Sequence, residues 1–279
     1  MKKGIVMEGG AMRGMFTCGI IDVLLENKIG FDGAVGVSAG ATFGCNLKSG
    51  QHGRPLRYNK KYCRDRHYHS IRSLLMTGDI YNVKFCYDDL PCRLDVWDTK
   101  AFAENPMEFY VVATDVNTGK PVYHKCTDGG REDMNWIRAS ASMPAVSRPV
   151  HIGEGIYLDG GTSDSIPLRF MEEKGYDRIL VIETQPKDFI KKKQKYMKFI
   201  RLALGKYPEM IKAMENRYIM YNREKQYIRE REETGEVIVI RPEAPLNISP
   251  VERDENELQR VYDLGREAGL KNIGKIKKL

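Results

Sequence analysis

Two spacings of apolar residues alternate along the 279-residue chain. Short unbroken runs with β-branched or aromatic content predict strands: Gly4-Ile5-Val6-Met7, Phe31 to Val35, Phe109 to Ala113, Gly155 to Leu158, Arg178 to Ile182 and Glu236 to Ile240. Steps of three and four predict helices between them. Phe16, Ile20, Val23 and Leu24 form one face over Met15 to Glu26, and Ala39 to Leu47 reads as a helix of small residues. Segment 187–231 reads as mostly helical with a break at Pro208, carrying the stripe Ile211, Met214, Tyr218 and Tyr221. Ser249-Pro250-Val251-Glu252 has the form of a capping box with proline first, so it predicts the start of the last helix. Strands alternating with helices imply an α/β fold, a three-layer sandwich whose mainly parallel sheet is covered on both faces. No repeat or linker divides the chain, and Pro242 and Pro245 mark a loop.

Composition narrows the class. With 42% hydrophobic and 30% charged residues the chain has enough apolar side chain to exclude wholesale disorder. No apolar run nears the roughly 20 residues of a membrane-spanning helix. Glu8 and Arg13 interrupt the apolar stretch behind Met1-Lys2-Lys3, so no secretory leader is expected. Cys18, Cys45, Cys63, Cys86, Cys92 and Cys126 form no C-x-x-C pair and no zinc spacing with histidine. They read as reduced thiols of a cytoplasmic protein, and no metal site is expected.

The net charge of +7 is unevenly spread. Segment 187–231 has fourteen Lys/Arg against five Asp/Glu, more net positive charge than the whole chain, and Arg54 to Arg72 has seven against Asp65 alone. Such stretches suit phosphate-bearing partners, nucleic acid or anionic lipid; a solvated helical face accounts for the same counts.

Three glycine-rich turns follow predicted strands. Gly36-Val37-Ser38-Ala39-Gly40, between a strand and a helix, has the form of a nucleophile elbow: Gly36 and Gly40 relieve crowding in a sharp turn, and Ser38 is presented at a helix N-terminus. Gly9-Gly10-Ala11-Met12-Arg13-Gly14 exposes backbone N–H groups that suit an oxyanion. It lacks the Gly-Lys-Ser/Thr ending of a phosphate-binding loop, and Ala11 departs from a dinucleotide fingerprint. Asp159-Gly160-Gly161 puts a carboxylate at a strand end, although alone it reads as an ordinary turn. A serine nucleophile needs a base. His52, His67, His69, His124 and His151 read as surface residues, since none follows the last strands, so Asp159 is the better candidate.

Together these blocks, in this order, resemble the signature blocks of patatin-like phospholipases. Ala139-Ser140-Ala141-Ser142-Met143-Pro144 and Ala113-Thr114-Asp115 also look like family segments. The resemblance is strong over residues 4–172, and 173–279 looks similar to the tails of small bacterial members, expected as part of the same domain. It implies a Ser38–Asp159 dyad without a catalytic histidine: Ser38 is acylated, and Asp159 takes its proton and later activates water. It implies that N–H groups around Gly9, Gly10 and Ala11 hold the oxyanion, with Arg13 steadying that loop or adding charge. The family usually has a third glycine where this chain has Ala11. The implied function is serine acyl hydrolysis of a lipid acyl ester through an acyl-enzyme, with no cofactor and no metal. A small-ester or thioester hydrolase, or a non-catalytic lipid-surface binding protein, are the alternatives. An anionic membrane surface is the expected second partner, approached peripherally through segment 187–231, and no nucleic acid is expected.

Overall fold

A computed structural model describes residues 1–279. Its strands are β1 (Lys2–Met7), β2 (Gly33–Val37), β3 (Glu108–Asp115), β4 (Pro121–Cys126), β5 (Val150–Ile152), β6 (Gly155–Asp159), β7 (Tyr176–Ile182) and β8 (Val237–Ile240). The helices are α1 (Gly14–Glu26), α2 (Ala39–Ser49), α3 (Arg54–Tyr62), α4 (Ile71–Thr77), α5 (Thr99–Glu104), α6 (Arg131–Ser140), α7 (Leu168–Glu173), α8 (Met197–Ala203), α9 (Pro208–Glu233) and α10 (Glu255–Ile276). None is long and apolar enough to cross a membrane.

All eight strands form one sheet. β8, β7, β1, β2 and β3 lie side by side in that order and run parallel. β4 and the β5–β6 hairpin add antiparallel pairings at β3. β4 occupies one edge of β3 from Phe109 to Thr114, so β2 and β6 share the other edge. β2 runs along it as far as the pair Val37–Val112, and β6 comes in from the opposite direction to the pair Asp159–Ala113. The C-terminal ends of β2 and β6 therefore meet head-on at adjacent positions of β3.

Strands covered on both faces lose the apolar–polar alternation, which is why β1 and β2 read as continuous apolar runs. Ile5, Met7, Ala34 and Leu180 pack on one face with residues of α1, α2, α3 and α10. Val6, Val35, Val37 and Val181 pack on the other with residues of α7 and α9. This is the three-layer α/β arrangement that the alternation of elements predicts.

α10 lies directly on α1, and two glycines permit the approach. A Cβ on Gly19 would stand 2.1 Å from the Tyr262 carbonyl oxygen, and one on Gly265 would stand 2.0 Å from that of Phe16. The Tyr262 hydroxyl donates to Asp22 Oδ2 at 2.6 Å, and Arg266 makes a two-pronged pair with Glu26 at 2.7 and 2.9 Å.

One expectation is sharpened and one corrected. Segment 187–231 is mostly helical and breaks just before Pro208, but its helices start late: residues 187–196 lie outside any helix, α8 has seven residues, and Pro208 begins α9. Proline lacks the N–H that a first helical turn leaves unbonded, so it starts a helix better than it interrupts one. The last helix starts at Glu255, not at Pro250. Glu252 accepts from Ser249 N–H, as a capping box requires, but it also accepts from the N–H groups of Arg253 and Asp254 and holds them in a turn. The Asp254 side chain caps the helix instead, accepting from Asn256 N–H at 2.9 Å.

Candidate active site

Ser38 sits between β2 and α2 with φ 54° and ψ −117°, a conformation that L residues rarely adopt. Close backbone contacts fix the turn. A Cβ on Gly36 would stand 2.4 Å from the Gly40 carbonyl oxygen, and one on Gly40 would stand 2.2 Å from that of Met7. Ser140 Oγ, at the end of α6, accepts from Ser38 N–H at 2.8 Å and holds the elbow from the other side.

Asp159 ends β6 opposite this turn. Ser38 Oγ donates to Asp159 Oδ2 at 2.6 Å, and Gly161 N–H donates to Oδ1 at 2.8 Å. Thr114 Oγ1 donates to the Asp159 carbonyl at 2.8 Å, and Asp159 N–H donates to the Ser142 carbonyl at 2.8 Å. Both carboxylate oxygens and both main-chain groups are thus held. Burial pushes the Asp159 carboxyl above the usual carboxylate range, against the opposing pull of Arg217, the Ser38 hydroxyl, Gly161 N–H and Lys191. A buried carboxylate with a raised pKa is a stronger base than an exposed one.

The glycine loop lies against the serine: a Cβ on Gly9 would come within 3.0 Å of Ser38 Cβ. The N–H groups of Gly9 and Gly10 donate to no protein acceptor. Ala11 has φ 48°, so it occupies the left-handed region where glycine is favoured, at a cost of about 1 kcal/mol. Arg13 N–H donates to the Gly10 carbonyl at 3.1 Å, whereas its side chain makes no hydrogen bond and its Nε is buried without a partner.

Ser38 stands where two cavities meet. One is lined mainly by apolar side chains, including Met12, Phe43, Tyr68, Tyr81, Tyr87 and Leu90. Tyr87 and Leu90 come from a π-helical stretch, Phe85–Leu94. The other is more polar and holds Arg13, Lys191 and Arg217 together with Asp159. Ser140, Lys191 and Arg217 were not singled out from the sequence as site residues. Ser140 lies within a quoted family segment, but nothing local distinguishes Lys191 or Arg217 from the basic residues around them.

The histidines stay outside both cavities. One expectation fails: His69 is buried, packed against the rings of Tyr68 and Tyr81, and burial lowers its pKa. His124, Cys126 and Asp133 form a cluster of ligand-type atoms within 4.8 Å that the sequence reading passed over. Asp133 is already committed there. Its Oδ2 accepts from the N–H groups of Thr127, Asp128 and Gly129, and its Oδ1 bonds His124 Nε2. Cys126 is buried, which raises its thiol pKa and disfavours a thiolate ligand. The cluster therefore reads as a structural hydrogen-bond knot.

Known proteins can be set beside this geometry. A 27% identical protein of Escherichia coli strain K12, "Uncharacterized protein YjjU", aligns over 98% of this chain and 78% of its own length. "Lysophospholipase NTE1" of Debaryomyces hansenii is 25% identical over 64% of this chain but only 12% of its own. Among solved structures, VipD from Legionella pneumophila matches with a TM-score of 0.50 at 12% identity, over 98% of this chain and 67% of that one, a likeness of fold. A domain of unknown function, DUF6363, matches residues 207–279, which hold α9 and α10. The family model described as patatin-like phospholipase matches residues 5–171. That match runs from β1 into α7 and takes in more than half of the chain, with the glycine loop, the elbow and Asp159 inside it: the chain belongs to the patatin-like phospholipase family.

Proposed function

We propose that the protein is a serine acyl hydrolase that cleaves lipid acyl esters through a Ser38–Asp159 dyad. The observation that carries this reading is the 2.6 Å hydrogen bond from Ser38 Oγ to Asp159 at the junction of an apolar and a cationic cavity. Ser38 Oγ attacks the ester carbonyl while Asp159 Oδ2 takes its proton. The negative charge formed on the carbonyl oxygen is met by the free N–H groups of Gly9 and Gly10 in the loop that joins β1 to α1. As the tetrahedral intermediate collapses, the proton passes from Asp159 to the departing alcohol and the acyl group stays on Ser38. Water then attacks the acyl-enzyme, gives its proton to Asp159, and the fatty acid leaves as Ser38 regains its hydroxyl.

The apolar lining of the cavity, with Met12, Phe43, Tyr81 and Leu90, suits the hydrocarbon of an acyl chain. The "Lysophospholipase NTE1" relatives support the substrate class. The same proposal takes residues 4–172 and 173–279 as one unit, supported by β7 beside β1 and α10 against α1. It also takes the rim as a peripheral membrane contact. Tyr196, Phe199 and Leu202 are more than half exposed, and Lys192, Lys193, Lys195 and Lys198 are exposed among them. Basic residues interleaved with exposed aromatic and aliphatic side chains suit an anionic interface.

The deciding experiment is labelling with a fluorophosphonate, followed by mass spectrometry of the adduct and turnover of a lysophospholipid panel. An adduct on Ser38 and release of fatty acid are expected. Absence of both at high protein concentration would leave the acyl-hydrolase reading without support.

A further inference from the structure

The polar cavity beside Ser38 has more positive charge than its own residues use. Arg13, Lys191 and Arg217 line it, and none of their side chains is hydrogen-bonded to a carboxylate. Of their side-chain donors only Arg217 Nε is hydrogen-bonded, to the Gly161 carbonyl at 2.6 Å. The Lys191 ammonium stands 4.3 Å from the centre of the Tyr221 ring, a contact that orients it without neutralising it.

The carboxylates that line the same cavity, Glu8 and Asp159, are both engaged. Glu8 accepts from Thr184 N–H at 2.5 Å and from the Tyr221 hydroxyl at 2.7 Å. Asp159 is held by Ser38 and Gly161. Grouping three cations in a partly dry site has a cost, and Lys191 registers it: burial first, then Arg217 and Arg13, bring its pKa down to about 8. An anion placed among them would remove that repulsion.

We propose that Arg13, Lys191 and Arg217 form a phosphate-binding subsite that selects acyl esters whose alcohol carries a terminal phosphomonoester over esters with a zwitterionic headgroup. The inference rests on the acyl-hydrolase reading and assigns the two cavities to the two halves of the substrate. The acyl chain enters the apolar one, and the phosphate of the departing alcohol enters the cationic one. A phosphomonoester carries close to two negative charges at neutral pH and offers three acceptor oxygens to the unused donors. The ammonium of a zwitterionic headgroup would find three cations and no unengaged carboxylate. Lys191 and Arg217 lie outside the residues matched by the family model, so two of the three cations come from the C-terminal part of the chain.

The test uses glycerol phosphate as a soluble probe and the full chain. Titration calorimetry should detect binding that weakens by about tenfold or more in Lys191→Met, as expected for one lost charge-assisted hydrogen bond. Lys206→Met, an exposed lysine outside the cavity, is the charge-matched control. At pH 8 binding should be accompanied by proton uptake, because the bound anion raises the Lys191 pKa; Lys191→Met should abolish that uptake. With short-chain soluble substrates, kcat/KM for a monoacylglycerol phosphate should exceed that for the matching phosphocholine ester, and Lys191→Met should collapse the ratio.

Turnover with no headgroup preference and no glycerol phosphate binding overturns the subsite and leaves the hydrolase reading in place. Equal binding of inorganic phosphate without headgroup preference makes this a free-phosphate site and also overturns the proposal. Phosphate binding that depends on Lys191, with no turnover of any ester, supports the subsite and overturns the hydrolase reading.

Discussion

Ser38 and Asp159, 121 residues apart, stand at the facing ends of two strands that share one edge of β3. Val37 is the last residue of β2 to pair there and Asp159 the last of β6, on the adjacent positions Val112 and Ala113. The serine and the aspartate are thus aimed at each other by main-chain pairing, before any side-chain packing is considered. Gly160 completes the junction, since a Cβ there would stand 2.1 Å from the Val112 carbonyl oxygen.

Ser38→Ala and Asp159→Asn are each expected to lower ester turnover by about 10³-fold or more, the scale seen when a nucleophile or its base is removed. Circular dichroism should show both variants folded. The two differ in their titration: removing the Ser38 hydroxyl takes away a bond that lowers the Asp159 pKa, so in Ser38→Ala that carboxyl should titrate higher still. Carboxyl-selective NMR on the two proteins checks the direction.

Activity should have an acid limb set by Asp159. The group works as a base only when ionised, and burial raises its pKa. Turnover of a neutral ester should therefore fall as the pH drops through a value above the ordinary carboxylate one, with no histidine-like step removed by changing His52, His67, His69, His124 or His151 singly. On a phosphate-bearing ester a second limb is expected near pH 8, where Lys191, faced by Arg13, Arg217, Glu8 and Glu224, loses its charge. Measuring kcat/KM against pH for both substrates separates the two limbs.

Gly265→Ala and Gly274→Ala should move stability in opposite directions although both lie in α10. Alanine is favoured over glycine in a helix interior by about 1 kcal/mol. At Gly274 nothing lies within 4 Å of the added methyl, so that gain should appear nearly whole. At Gly265 the methyl meets the Phe16 carbonyl oxygen at 2.0 Å, which forces α10 away from α1. A net loss of about 2 kcal/mol is expected, the usual scale for overpacking less the propensity gain. Urea midpoints of the two variants give the comparison.

Changing Lys192, Lys193, Lys195 and Lys198 to glutamate should sharply reduce cosedimentation with anionic vesicles while leaving turnover of a soluble ester intact. Wild-type binding should weaken as salt rises. Lys191 is left out of this set because it is half-buried and turned to the cavity over Tyr221. Unchanged vesicle binding in the variant would remove segment 187–198 from the docking surface.

The parts of this molecule legible in its sequence are those where the backbone itself dictates the residue. Gly36 and Gly40 are forced by carbonyl contacts under 2.5 Å, and such positions stand out after an apolar strand. The buried parallel strands were equally plain, because double coverage makes them continuous apolar runs. β4 and β5 were missed: they are short or half-exposed antiparallel strands whose partners supply most of their order. α6 was missed as well, although its last turn carries Ser140 to the Ser38 N–H. Lys191 could not be told from Lys192 and Lys193 in a run of three lysines; only the arrival of α9, with Tyr221 and Arg217, buries one and leaves its neighbours in water.

The α1–α10 crossing has a consequence for how the protein is made. α1 is buried along nearly its whole length, yet the helix that covers it is translated some 240 residues later. At about 5–20 residues per second, the ribosome leaves that apolar surface uncovered for roughly 10–50 s. For that interval the nascent chain leaves the face of α1 that holds Gly19 and Val23 open to whatever is nearby, which makes the emerging N-terminal half a natural client for a chaperone and the last helix the event that releases it.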